Sequence, residues 1–321
     1  MFSAREKLKE KLNSLNDRVS DTFDFDFSAV SRRIETVEEF NDILLGDFNS
    51  GRQLFYRGER INDSNRHLLP TMLREPEKLF DDNDLGIVHI DSDFLLDYYK
   101  NLGSFVDVFS KTMGKVSKDS LYEICAFSQH YNNFSPLIDF TKSIYPSLSF
   151  ALKDRDVYED DIVLYVIEIK DEKDYTTDIT TANKWIDELS IYAGRFEETD
   201  LKTALKDIIA NRHKLKMSEE FKNYIEFANS KPSPKAKLID VPTNTRMKFQ
   251  QGVFLLLNDF HFFNVTYFTK GIRDEFEISK YIINKDICPY LLDLIKKETP
   301  WYQFKYLTDV ESAFKTAINN K

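Results

Sequence analysis

Residues 162–169, Ile-Val-Leu-Tyr-Val-Ile-Glu-Ile, are the stretch on which the fold turns. They are rich in β-branched side chains and almost continuously apolar, which predicts a strand at the centre of a sheet. Outward from it, strands are predicted at Gln53–Gly58, ending in a glycine turn, and at Leu238–Val241, Val253–Leu257, Val265–Phe268 and Phe276–Ile283. Helical spacing fills the intervals. Thr36 with Glu39 reads as a capping box that opens a helix through Phe40, Ile43 and Leu44, ending near Gly46. The pattern is mostly helical over 70–127, where Ser120 and Glu123 cap a helix running to about His130. A further helix over Tyr145–Leu152 is entered at Pro146, and a closing helix covers 307–318. Strands from both halves of the chain, interleaved with helices, predict an α+β fold: a central, mostly antiparallel sheet, whole or split, with flanking helices.

Two regions stand apart from that plan. Residues 1–32 form an N-terminal extension whose Leu8, Leu12, Leu15 and Val19 share one helical face. Its Asp21–Phe27 stretch alternates acids and rings. The main domain, 33–321, carries a polar helical insert at about 171–237, with Trp185, Leu189 and Tyr192 at helical spacing and a linker-like break over Ser230–Lys237. Lys202, Lys206, Arg212, Lys214 and Lys216 of the insert are read as a solvated helix surface, with a basic partner face as the alternative.

Composition narrows the function. The 321 residues include only nine glycines, nine prolines and two cysteines. No GxGxxG and no GxxxxGK[ST] occurs, so the glycine loops that bring backbone amides to a phosphate are absent. HExxH and GxSxG are absent too. Cys125 and Cys288 are too few and too far apart for a disulfide framework or a zinc site, which points to a reducing, cytoplasmic setting. The charged opening MFSAREKLKEKL lacks the apolar core of a signal peptide, and no apolar run is long enough to span a membrane. No membrane partner is therefore expected. A net charge of −10 disfavours a surface that coats nucleic acid.

Three segments depart from simple packing patterns. In Phe55-Tyr56-Arg57-Gly58-Glu59 an arginine ends an aromatic strand, where it must be paired or aimed at an anion. An Arg57–Asp139 salt bridge is one reading and a ligand contact the other. In Gln129–Thr141 the polar Gln129, His130, Ser135, Asp139 and Thr141 sit among apolar residues, either lining a pocket or capping the next helix. In Thr245–Phe254, Gln250 and Gln251 lead into Gly252 and an apolar strand. Their amides suit a sugar hydroxyl or a base edge, and equally a loop backbone.

Together the three segments resemble the FRG domain family. Its Phe/Tyr-Arg-Gly signature is matched by Phe55-Tyr56-Arg57-Gly58, its Gln-His-Tyr motif by Gln129–Thr141, and its Arg-x-x-x-Gln-Gln-Gly-x-Phe motif by Arg246–Phe254. Asn132 stands where the family has glycine, and Pro136 where it often has arginine. The family is typical of bacteria and their prophages, often beside defence genes. The strand ending in Tyr-Arg-Gly is also similar to the first motif of the ADP-ribosyltransferase-like fold.

That second likeness implies a side-chain-lined cleft for NAD, used as a substrate, with no permanently bound cofactor and no metal. Tyr56, Arg57, Gly58, Gln129, His130, Thr141, Gln250 and Gly252 would bind the ligand. Asp139 and Gln251 would be catalytic, Gln251 standing where such enzymes usually carry a glutamate. An NAD-using transferase or glycohydrolase in phage defence or toxin biology, with a protein or nucleic-acid acceptor, is the first functional reading. A non-catalytic sensor module is the alternative, and a nucleic-acid-processing enzyme using His130 and Asp139 the third. In every case the three motifs should converge on one cleft.

Overall fold

The computed structural model describes residues 31–62, 120–131, 137–153, 159–187, 236–257 and 276–307, with Leu68, Lys111, Ser135 and Asp309 beside them. The helices and strand expected over 1–27, 70–119, 201–230, 265–268 and beyond 309 lie outside these residues.

The first elements are β1 (Ser31–Ile34) and a helix, α1, built from Val37–Glu39, wider π turns over Phe40–Leu45, and Gly46–Asn49. The Thr36 hydroxyl accepts the Glu39 N–H at 3.2 Å, as a capping residue should, while the Glu39 carboxylate takes the N–H of Glu35. The helix does not end at Gly46, which is right-handed at φ −60. The glycine beyond its end is Gly51, at φ +77.

Then come β2 (Leu54–Glu59), α2 (Leu121–Tyr131), β3 (Leu137–Thr141), α3 (Ile144–Ala151) and β4 (Ile162–Ile169). They are followed by β5 (Tyr175–Thr176), α4 (Ile179–Asp187) and β6 (Ala236–Ile239). The chain continues through α5 (Thr245–Gln250), β7 (Gly252–Leu257), β8 (Phe276–Ile283), α6 (Cys288–Glu298) and α7 (Phe304–Leu307).

The eight strands form one sheet in the order β1-β8-β4-β2-β3-β7-β6-β5. Only the outermost pairs, β1/β8 and β5/β6, are parallel, so the α+β fold has a mostly antiparallel sheet. The segment expected to be a helical insert thus begins and ends in strands: β5 and β6 build one sheet edge. Lys237 and Asp174 form a buried ion pair there, with the Lys237 ammonium 5.5 Å from the Trp185 ring.

As its composition predicts, β4 is interior, pairing antiparallel with β2 on one side and β8 on the other. Ile162, Leu164 and Val166 pack with Leu54 and Tyr56 of β2, with Ile144, Leu148 and Ala151 of α3, and with Leu291 and Ile295 of α6. The alternate residues Val163, Tyr165 and Ile167 are buried as well, so both faces of the strand are covered.

The sheet divides in the middle. β2 and β4 pair over Leu54–Glu59, and β3 and β7 over Leu137–Thr141, but β2 meets β3 only at Tyr56 opposite Thr141. Beyond that pair the two strands part, and the half-sheets flank an opening.

Candidate functional site: a cleft at the sheet divide

The opening is a cavity of about 380 Å³, the size of a small-molecule site. The ends of β2, β3 and β7 line it together with α2, α3 and α5, so all three sequence segments converge there. Gly58 explains how β2 reaches α3. A Cβ at this position would lie 1.9 Å from the Ser147 carbonyl oxygen and 2.7 Å from its carbon, both backbone atoms. Gly58 lines the cleft, and its missing Cβ also admits the helix.

Arg57 fills the gap where β2 and β3 part. Its Nε donates to Glu59 Oε1 at 2.8 Å, and its Nη2 lies 2.6 Å from the same oxygen. Nη1 donates to the backbone carbonyl of Asp139 at 2.8 Å, taking the place of a missing ladder bond. The Asp139 carboxylate is farther, at 4.0 Å. The side chains of Arg57 and Glu59 are only 14 % and 9 % exposed. Burial pulls the Arg57 pKa down, but the Glu59 and Asp139 carboxylates outweigh it and hold it above its ordinary value. Arg57 is therefore a buttress neutralised by Glu59. The three motifs assign no role to Glu59, but residues two apart on a strand share a face, and that spacing is the sequence signal for the pair.

Asp139 faces the cleft with its side chain 48 % exposed. Gln129 of α2, nine-tenths buried, donates Nε2 to Asp139 Oδ2 at 2.7 Å, and its own Oε1 is buried without a partner. The side chain of His130 lies outside the described residues. Tyr56 lines the cleft but belongs to the core cluster, edge-on to Phe48, with its hydroxyl buried and unpartnered.

The other expected contacts are engaged inside the fold. Thr141 lines the cleft, and its hydroxyl donates to the Gln250 carbonyl at 2.7 Å and accepts the Ser143 N–H. Gln250 lines the cleft, but its amide donates to the Leu307 carbonyl at 2.8 Å. Gln251 does not line the cleft. It caps α5 in the left-handed conformation, φ 51, which closes the turn into β7, and this turns its amide to the Tyr302 hydroxyl at 2.8 Å. Gly252 lines the cleft at the start of β7, where a Cβ would meet nothing closer than 3.5 Å.

The two glutamines thus clasp the segment after α6. Its Tyr302 ring lies 5.4 Å from Phe249, and Phe304 lies against Phe150 and Lys153 of the cleft wall. Tyr302→Phe removes the Gln251 bond while keeping the ring. It should lower stability by about 1 kcal/mol and speed amide exchange over 300–307; unchanged exchange there would count against the clasp.

Arg60, Lys153 and Arg246 also line the cleft. With Arg57, four cations face two carboxylates among the described residues, and one of those carboxylates is Glu59. Arg246 Nε is buried without a hydrogen-bond partner. Arg246 opens the third motif in sequence, but only the fold reveals the other two cations as its neighbours. Among the described residues no group of three or more His, Cys, Asp or Glu is placed to hold a metal ion, and no helix is long and apolar enough to cross a membrane.

The fold and cleft define an α+β domain with a divided sheet and a basic, side-chain-lined pocket. Residues 52–160 match the family model of the FRG domain. No curated protein and no solved structure matches the chain. The matched segment runs from β2 to the approach to β4, and Arg246–Phe254 completes the cleft from outside it.

Proposed function

We propose that the cleft binds a phosphate-bearing ligand of nucleotide type, for which NAD is the first probe. The observation that carries this reading is the surplus of cations in the cleft of a chain whose net charge is −10. With Arg57 neutralised by Glu59, the groups that would meet phosphate are Arg60 and Arg246. Guanidinium forks suit phosphate oxygens in a site that has no glycine-rich cradle of amides. The unit that acts extends past the matched segment, because β7 and α5 supply one wall; one strand order joining β1 to β8 supports a single domain over 33–321, although β1 begins at Ser31. A reducing, cytoplasmic setting rests on the cysteine content of the sequence alone. A place in bacterial or prophage defence rests on the family resemblance alone.

A second reading, glycosyl transfer or hydrolysis at NAD, rests on Asp139, whose half-exposed carboxylate would stabilise oxocarbenium charge on a bound sugar. Gln251 has no part in it.

The test is a thermal melt with NAD and with ADP, joined to an assay for released nicotinamide. Both ligands should raise the melting temperature. Arg246→Ala should weaken binding at least about tenfold, the loss expected for one charge-assisted hydrogen bond. A melt that neither ligand moves would remove the reading. Nicotinamide release abolished by Asp139→Asn would favour the enzyme, and stabilisation without release the binding module.

A further inference from the structure

We propose that the cleft selects a ligand with a free vicinal diol: a sugar phosphate, or a nucleotide whose ribose 2′ and 3′ hydroxyls are both unsubstituted. The inference rests on the phosphate reading above and is independent of catalysis.

The cleft is chemically lopsided. Arg60, Lys153 and Arg246 come from the chain after β2, the end of α3 and α5, and they present only donors. Asp139 and Gln129, from β3 and α2, present acceptors. Asp139 Oδ2 holds the Gln129 amide at 2.7 Å, and Oδ1 carries no hydrogen bond among the described residues. Because Gln129 must direct Nε2 at a carboxylate, its amide orientation is settled, and the unpartnered Oε1 is an acceptor. Arg57 takes the Asp139 main-chain carbonyl and stays 4.0 Å from the carboxylate, whose accepting capacity is therefore left for the cleft.

A carboxylate that accepts without donating suits adjacent hydroxyls, each of which donates one hydrogen. It repels a phosphate at the same place. The cleft thus favours a ligand with its anionic group at the cations and its hydroxyls at Asp139. Removing a hydroxyl leaves the acceptor unanswered, and phosphorylating it sets two negative charges together. Gln129 is a positioning residue, holding the carboxylate at the cleft wall.

The experiment is calorimetric titration of the full chain with ADP, 2′-deoxy-ADP and adenosine 2′,5′-bisphosphate, repeated on Asp139→Asn and Arg246→Ala. With the wild-type chain, 2′-deoxy-ADP should bind about tenfold more weakly than ADP, and the 2′-phosphorylated nucleotide more weakly still. Asp139→Asn, which keeps the shape and removes the charge, should recover binding of the 2′-phosphorylated nucleotide. Should ADP and 2′-deoxy-ADP bind alike, or the 2′-phosphate bind tighter than ADP, diol selection is overturned. The phosphate reading would then survive if Arg246→Ala still weakened ADP. Absence of any ADP binding would overturn both.

Discussion

Glu59→Ala is expected to destabilise the protein by about 3–5 kcal/mol, the usual consequence of removing one partner from a buried ion pair. Where it sits, Arg57 has no second carboxylate within bonding distance to replace Glu59: its guanidinium is held between β2 and the Asp139 carbonyl, and the Asp139 carboxylate is 4.0 Å away. Left alone, the cation would either stay buried unpaired or pull free, and in pulling free it would drop the bond that bridges the parting strands. Chemical denaturation read by far-ultraviolet circular dichroism measures the loss. The double variant Glu59→Leu with Arg57→Met supplies the comparison, since an apolar pair of similar bulk removes the uncompensated charge. It should recover a large part of the stability. A Glu59→Ala chain within about 1 kcal/mol of wild type would show that the pair is no buttress.

Gly58→Ala should cost at least about 3 kcal/mol, since inserting a methyl group into packed backbone is among the more damaging small-to-large changes. The added Cβ would sit 1.9 Å from the Ser147 carbonyl oxygen and 3.0 Å from the Ala151 Cβ. Neither the strand nor α3 can yield locally, because Gly58 is held in the β2/β4 ladder and Leu148 and Ala151 are fully buried beside it. Gly252→Ala is the control. Its Cβ meets only ordinary contacts from 3.5 Å outward, so it should change stability by no more than about 1 kcal/mol. Equal melting temperatures for the two variants would contradict the close approach of β2 to α3.

The two glycines show how far sequence reading reached. Both stood out because glycine is rare here, and both fall in segments that do meet at one cleft. Their reasons differ, and neither reason is local. Gly58 answers to a helix 89 positions on from it in no simple pattern: the contact is with Ser147 and Ala151, brought over β2 by the β3–α3 connection. At the third segment the strained backbone belongs to Gln251, a residue type that gives no signal of left-handed conformation.

Sequence alone determined the interior strand at 162–169, the α+β class and the three segments that build the cleft. Those follow from periodicity, β-branching and the local chemistry of caps and strand ends, each legible within about ten residues. Only the tertiary structure decided which polar groups remain open to a ligand. Arg57, Thr141, Gln250 and Gln251 all looked like ligand contacts, yet each finds its partner inside the fold: Glu59 and the Asp139 carbonyl, the Gln250 carbonyl, the Leu307 carbonyl and the Tyr302 hydroxyl. Asp139 and Arg246 keep capacity to spare. A side chain's type states what it can bond, but burial requires that its bonds be made somewhere, and only the packed chain fixes whether that partner is the protein or a ligand.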